Sequence, residues 1–403
     1  MRIVVLGADG YLGWPTALHL SARGHDVVAV DSLVRRHWDI ECGTDSLVAI
    51  ASMPERLARW HEVSGRTIEW HELDLCDEGA LDELIGASPP DAVVHFAEQR
   101  SAPYSMISPR HGVETQVNNV VGTLRLLYAL RDRAPHCHLI KLGTMGEYGT
   151  PNIDIEEGFL EVDHNGRHDR MLYPKQPGSV YHLSKVHDSH NLDFGCRIWD
   201  LRATDLNQGV VYGITTAETA LHPDLTTRFD YDGIWGTVLN RYCVEAAIGE
   251  PLSVYGKGGQ TRGFLDIRDT VRCVELAALN PPAAGEYRVY NQFTEQFSVL
   301  GLAEKVAHAR AAHGLPTTIH HVENPRREKE EHYYNAKHQH LLDLGLEPHS
   351  LSDTLIDSVV QTVEGNIHRV RRNTVDAKVD WRKGGGLYTG EPAAPPLATA
   401  PTR

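Results

Sequence analysis

Tyr181 and Lys185 stand four residues apart in Tyr181-His182-Leu183-Ser184-Lys185, and on a helix that spacing puts both side chains on one face. The cation favours the phenolate, which can take a proton from a substrate hydroxyl as hydride leaves the carbon. The chemistry indicated is oxidation of an alcohol. The pattern alone is short: with 15 tyrosines and 9 lysines in 403 residues, chance supplies about 0.3 copies. A second copy does occur, from Tyr333 to Lys337, and no glycine turn or strand end frames it. The first copy gains meaning only if other segments bring it an electron acceptor and a substrate.

An acceptor site is readable at the start of the chain. Residues 3–6 are a continuous apolar run, as in a parallel strand buried on both faces. Gly7-Ala8-Asp9-Gly10-Tyr11-Leu12-Gly13 follows, then a helical stretch to about residue 22, then residues 27–30 ending in Asp31. Three glycines at this spacing give a tight turn, a close backbone approach to a pyrophosphate and close helix–strand packing, with the phosphates on the helix N-terminus. Asp31 can accept from the adenosine ribose hydroxyls, and its charge favours NAD over a 2′-phosphorylated cofactor. Arg35 and Arg36 come next.

Further elements alternate in the same way. A strand over residues 67–73 ends at Asp74-Leu75; one over 92–96 leads from Phe96 into Ala97-Glu98-Gln99-Arg100; a helix over about 109–133 carries Asn118 and Asn119; a strand over 138–142 delivers Gly143-Thr144-Met145-Gly146-Glu147. Such alternation predicts a Rossmann-type doubly wound α/β fold, with ligands at the strand carboxyl ends. The expected cofactor set is Gly7, Asp9, Gly10, Tyr11, Gly13, Asp31, Arg35, Arg36, Asp74, Leu75, Phe96, Ala97 and Asn118, with Tyr181 and Lys185 at the reacting end.

Beyond about residue 206 the alternation weakens. The expected division is an NAD-binding domain over 1–205 with a return segment at about 264–280, a smaller α/β substrate lobe over 206–382 that includes strands near 287–291 and 317–322, and a disordered tail over 383–403. The formal charge of −15 argues against nucleic-acid or anionic-membrane partners, and no run approaches the ~18 apolar residues of a membrane span. Six scattered cysteines without a Cys-x-x-Cys read as reduced thiols of a cytoplasmic protein. The 24 histidines include no His-Glu-x-x-His, so no metal is expected.

With Gly7, Gly10, Gly13, Asp31, Thr144, Tyr181 and Lys185 in register, the chain resembles the extended short-chain dehydrogenase/reductase superfamily of nucleotide-sugar enzymes. The stretches 34–36, 95–106, 141–157, 181–191, 202–213, 254–269 and 291–298 narrow the likeness to its UDP-sulfoquinovose synthase family, and the likeness runs to about residue 382. That resemblance implies NAD held tightly, UDP-glucose oxidised at C4, water lost across C5 and C6, sulfite added at C6 and C4 reduced again. It implies Tyr181 as base, Lys185 as its electrostatic partner, Thr144 as the group that orients the hydroxyl, and Glu147 and His182 as candidates for proton transfer at C5 and the C6 oxygen. Glu147 also reads as a structural cap and His182 as a packed neighbour of Tyr181. Asn207, Gln260, Arg262 and Arg326 match positions that meet uridine diphosphate, and Gln99 and Arg100 are candidate neighbours of sulfite. Relatives commonly pair through two helices, so a homodimer is expected. The alternatives are a dehydratase of the same fold that uses no sulfite and acts on another nucleotide sugar or a nucleoside, and a non-catalytic NAD-binding sensor.

Overall fold

The computed structural model describes residues 1–329 and 333–388. Its centre is a seven-stranded sheet in the order Tyr287–Gln292, Arg202–Gln208, His138–Thr144, Ala92–His95, Arg2–Leu6, Asp26–Asp31, Glu69–Glu72. Every neighbouring pair runs parallel. The chain builds outward from Arg2–Leu6 to one edge and then returns to lay Ala92–His95 on its other side, so the order reverses there. A crevice opens above the strand carboxyl ends at such a reversal. The apolar runs are spent as parallel strands require: Ile3, Val5, Leu6, Val27 and Val30 are all 0% exposed.

Helices cover both faces. Gly13–Ala22 and Ile267–Leu279 pack together on one side through Trp14, Leu18, Val274 and Leu276. Gly122–Arg133 and Val180–Trp199 cover the other through Leu126, Leu130, Leu192 and Cys196. A further apolar cluster gathers Leu239, Tyr242, Phe264, Val306 and Val360. Beside it lie a three-stranded sheet, Glu295–Ser298 with Thr261–Asp266 and Val210–Tyr212, and a pair, Leu252–Tyr255 with Ile319–Val322.

Three expectations are corrected. The strand at 287–292 is an edge of the central sheet, pairing with Arg202–Gln208, rather than part of the C-terminal lobe; alternation identifies a strand but not the sheet it joins. The helix over 109–133 is interrupted by a π-helical turn, Val117–Val121, which carries Asn118 and Asn119. The tail expected from residue 383 is ordered as far as it is described: Gly384–Gly385 pairs with Val379–Asp380, and Tyr388, 5% exposed, joins Trp38, Tyr104 and Trp235 in an aromatic cluster. One aromatic side chain holds down a stretch whose composition alone suggested a tail. The rest of that segment, 389–403, lies outside the described residues.

Candidate active site

At the first turn the backbone leaves no room for side chains. Gly7 has φ +85°, and a Cβ there would lie 2.6 Å from the Phe96 carbonyl carbon; at Gly13 a Cβ would overlap the Gly7 carbonyl oxygen. The Gly10 amide donates to that same oxygen at 3.1 Å. The following helix has no side-chain cap; Trp14 gives its amide to the Gly10 carbonyl at 3.3 Å and Pro15 has none, so it is the positive end of the helix dipole that favours an anion here. A cleft runs from this turn to the catalytic helix. Of the expected cofactor set it is lined by Gly7, Gly10, Tyr11, Gly13, Asp31, Arg35, Asp74, Leu75, Phe96, Ala97, Asn118, Tyr181 and Lys185. A cradle closed to any Cβ, an acid at the second strand's end and a Tyr/Lys pair at the far end fit a dinucleotide.

Asp31 accepts from the Asp9 amide at 2.9 Å and the Leu33 amide at 2.7 Å. Burial, then the charge of Asp9, pushes its carboxyl up to about 6. Asp9 and Arg36 do not line the cleft. Asp9 is 2% exposed and accepts from Arg36 at 2.7 and 2.8 Å and from Arg56 at 3.0 Å. Burial works against the Asp9 charge, but these guanidinium bonds outweigh it and hold the carboxyl below its ordinary value. The pair pins the segments after Asp31 onto the glycine turn. Arg35 lines the cleft but is committed to Asp39 and Asp230 and stacks 4.0 Å over Trp235.

Sequence reasoning missed several lining residues. Arg228 and Trp235 come from the irregular stretch 213–237, which carries no periodicity to read. That stretch is strapped over the glycine turn by Tyr11 to the Gly213 carbonyl at 2.5 Å, Thr227 to the Tyr11 carbonyl at 2.7 Å and Trp14 to the Leu225 carbonyl at 3.0 Å. Glu98 also lines the cleft; an acid immediately after a central strand was the available signal.

At the other end, Ser179 caps the helix Val180–Trp199 by accepting from the His182 amide at 3.2 Å. Tyr181 is fixed through its amide, which donates to Ser105 Oγ at 3.0 Å. Lys185 Nζ lies 5.8 Å from the Tyr181 ring centre, donates to the Leu142 carbonyl at 2.6 Å and is ion-paired with Glu98. The expected depression of the Tyr181 pKa is not what the geometry gives. Burial first, then the Glu98 carboxylate, pushes the phenol up, with Lys141 opposing; burial holds the Lys185 ammonium below its ordinary value.

Thr144 ends the strand His138–Thr144 and begins a reciprocal cap: its Oγ1 accepts from the Gly146 amide at 3.2 Å, while Glu147 accepts from the Thr144 amide at 3.2 Å. Glu147 is 0% exposed and also accepts from Ser189 at 2.8 Å and from Lys175. The cap suspected from sequence is therefore present. His182 shares a 2.9 Å hydrogen bond between Nδ1 and Ser179 Oγ, and its ring centre lies 5.0 Å from that of Tyr181. A Cβ at Gly146 would overlap the imidazole, so this glycine makes the room for His182. Burial, then the charges of Arg326 and Arg262, pushes the imidazole down to about 3.

That electrostatic link puts the two candidate phosphate-binding arginines on the His182 side. Arg262 donates to the Thr261 carbonyl at 2.8 Å and pairs with Glu328; Arg326 lies 5.2 Å over the Trp381 ring. Arg100 lines the cleft, bonded to Asp230 and the Trp235 carbonyl. Three other candidates are buried and structurally engaged. Gln99 is 0% exposed and donates to the Ser101 carbonyl at 2.9 Å and Thr115 at 3.0 Å. Asn207, 0% exposed, donates to Tyr148 at 2.9 Å, and Gln260, 1% exposed, donates to the Tyr255 carbonyl at 3.4 Å. The second Tyr/Lys pattern has a 46% exposed Tyr333 bonded to Asp154, with Lys337 on Glu156. Among the described residues no group of three or more metal-ligating side chains converges.

The profile of the NAD dependent epimerase/dehydratase family matches residues 3–291. The chain is 58% identical over 382 residues to the chloroplastic UDP-sulfoquinovose synthase of Spinacia oleracea, covering 95% of this chain and 79% of that one. It is 45% identical over 386 residues to the UDP-sulfoquinovose synthase of Sulfolobus acidocaldarius, covering 95% and 98%. Among solved structures, a UDP-glucose 4-epimerase from Stenotrophomonas maltophila with bound NAD and formylated UDP-arabinopyranose superposes with a TM-score of 0.70 at 19% identity, covering 92% of this chain and all of that one.

Proposed function

Because the chain belongs to the NAD-dependent epimerase/dehydratase family, we propose that its cleft converts UDP-glucose and sulfite to UDP-sulfoquinovose, with release of water. The observation that carries this reading is the 58% identity to the spinach synthase across 95% of the chain. NAD, when bound, supplies a hydride acceptor and returns the hydride to the same carbon.

The chain's own residues supply binding and proton transfer. Tyr181 takes the proton of the 4-hydroxyl and later gives it back, while Thr144 orients that hydroxyl. Oxidation at C4 acidifies the C5 proton. His182 then moves the proton between C5 and the departing C6 oxygen: its Nδ1 is occupied by Ser179, leaving Nε2 for the transfer. Glu147, with its oxygens engaged by the Thr144 amide, Ser189 and Lys175, holds Thr144 in place. Arg262 and Arg326 bind the diphosphate, whose oxygens suit the planar guanidinium fork. A bound diphosphate offsets two of the cations that press on His182 and so raises its pKa toward a useful range. Arg100, one of the cations lining the cleft, is the candidate for sulfite.

A homodimer belongs to the same reading. Val113, Val117 and Val121 recur at four-residue spacing, and with Tyr128 they are 37–63% exposed on residues 109–133; Leu183, Phe194 and Ile198 are 39–54% exposed on the helix Val180–Trp199. These neighbouring segments offer an apolar face to a second copy. A cytoplasmic location agrees with six free thiols, and no helix among the described residues is long and apolar enough to cross a membrane.

The elimination step has its own test. In heavy water without sulfite, UDP-glucose recovered from the enzyme should carry deuterium at C5. Formation of UDP-galactose with no deuterium at C5 would replace the proposal with simple epimerisation.

A further inference from the structure

The two candidate diphosphate arginines are held in different ways. Arg262 is tied to the Glu328 carboxylate and to the Thr261 carbonyl. The carboxylate that acts most strongly on Arg326 is that same Glu328, already taken up by Arg262, and the Arg326 guanidinium lies instead 5.2 Å over the ring of Trp381. That distance is within the ~6 Å reach of a cation–π contact. Trp381 stands in a short hairpin, Val379–Asp380 paired with Gly384–Gly385. Asp380 builds its turn, Oδ1 accepting from the Arg382 amide at 2.8 Å and the Lys383 amide at 3.1 Å. On one side the hairpin presses on the segment after Tyr104: Gly384 has φ +78°, a Cβ there would lie 2.6 Å from the Ile107 carbonyl oxygen, and the Gly385 amide donates to that oxygen at 3.2 Å. On the other side the Trp381 amide donates to the Pro325 carbonyl at 3.1 Å, next to Arg326. The indole also reaches the catalytic helix, since a Cβ at Gly178, just ahead of Val180–Trp199, would lie 3.8 Å from its ring.

We infer that Trp381 is a positioning residue for the substrate, its ring holding the Arg326 guanidinium on the His182 side of the site, poised for a phosphoryl oxygen of the nucleotide. This inference rests on the proposed function and makes the C-terminal hairpin a working part of the substrate site. A carboxylate under Arg326 would spend its charge, whereas a ring face fixes the planar group and leaves the charge for an anion. A guanidinium already held against a ring also gives up less freedom when the anion arrives, so the contact is felt in binding. Packing alone asks only for a large apolar side chain at 381, and that difference can be measured.

The test is UDP binding to the full-length, NAD-loaded protein by calorimetry. Trp381→Phe keeps a ring face and should bind UDP close to the native affinity. Trp381→Met fills space without one and should bind about 2- to 30-fold more weakly. The KM for UDP-glucose should rise with that loss while kcat holds, as for a contact made equally in the ground and transition states. In an Arg326→Ala background the same Trp381→Met change should add nothing, because the ring acts through the guanidinium. Native affinity in Trp381→Met overturns the inference, and so does an equal loss with and without Arg326, the mark of a ring that only supports the fold. If Trp381→Met does not fold, a difluorinated tryptophan placed at 381 decides, since it keeps the shape and weakens the ring face: lowered UDP affinity supports the inference and unchanged affinity overturns it. Failure of the substrate reading is distinguishable, because the native protein would then bind no UDP and both would fall, whereas native binding that is indifferent to Trp381 counts against the inference alone.

Discussion

Two glycine-rich turns stand at the carboxyl ends of parallel strands, the first lining the cleft and the second following its Leu142 wall, and they are built in opposite ways. At Gly7–Gly13 the backbone does the work: a Cβ would collide at the first and last glycines, and the polar side chain within the turn, Asp9, points away into an ion pair. At Gly143–Gly149 the side chains do the work. Thr144 and Glu147 cap one another, Lys175 and Ser189 hold Glu147, and His182 fills the space that Gly146 leaves. A turn made of backbone accepts a shared chemical unit, a pyrophosphate; a turn made of side chains can be specific for one sugar and one reaction.

Damage to the second turn should therefore cost chemistry or stability and spare the cofactor, and damage to the first should do the reverse. The largest expected effect is that of Tyr181→Phe, which removes the proton acceptor and keeps the ring: turnover falls by about 10²- to 10⁴-fold while NAD stays bound, as cofactor absorbance after gel filtration would report. Next is Glu147→Gln. Breaking a buried ion pair leaves Lys175 uncompensated and should cost about 3–5 kcal/mol of stability, seen as a lowered denaturation midpoint. A folded, fully stable but inactive Glu147→Gln would instead return Glu147 to acid–base chemistry.

Gly13→Ala tests the first turn. Forcing a methyl against the Gly7 carbonyl should cost about 1–3 kcal/mol, which weakens NAD binding by roughly tenfold or more, with kcat at saturating NAD little changed. The smallest effect concerns pH. Asp31, raised to about 6, is the better acceptor for ribose hydroxyls once ionised, so NAD affinity should rise as pH passes upward through 6. Asp31→Asn, with no charge to gain, should show a flat profile by calorimetry.

How far each turn could be read follows from how it is built. Gly7, Gly10, Gly13 and Asp31 are dictated by local sterics and by the next strand, so their spacing carried the cofactor site and the doubly wound sheet. Tyr181 and Lys185 were legible because helix periodicity fixes their common face. The Lys185–Glu98 pair was not, because it joins residues 87 apart; nor was the burial that, ahead of the Glu98 charge, turns the Tyr181 pKa upward. The buried partners of Gln99, Asn207 and Gln260 were not legible for a similar reason: Thr115, Tyr148 and the Tyr255 carbonyl meet them through the fold, while Asn207 Oδ1 and Gln260 Oε1 keep no hydrogen-bond partner among the described residues. The strap over 213–237 lies in irregular backbone, where sequence has no period, and Tyr388 was hidden by the Gly/Pro-rich composition around it.

The most direct measurement is to incubate the purified protein with UDP-glucose and sulfite and follow the products by mass spectrometry. A product of the mass of UDP-sulfoquinovose, dependent on both substrates and absent with Tyr181→Phe, is the predicted result. No such product, together with no binding of UDP-glucose by calorimetry, would contradict the account.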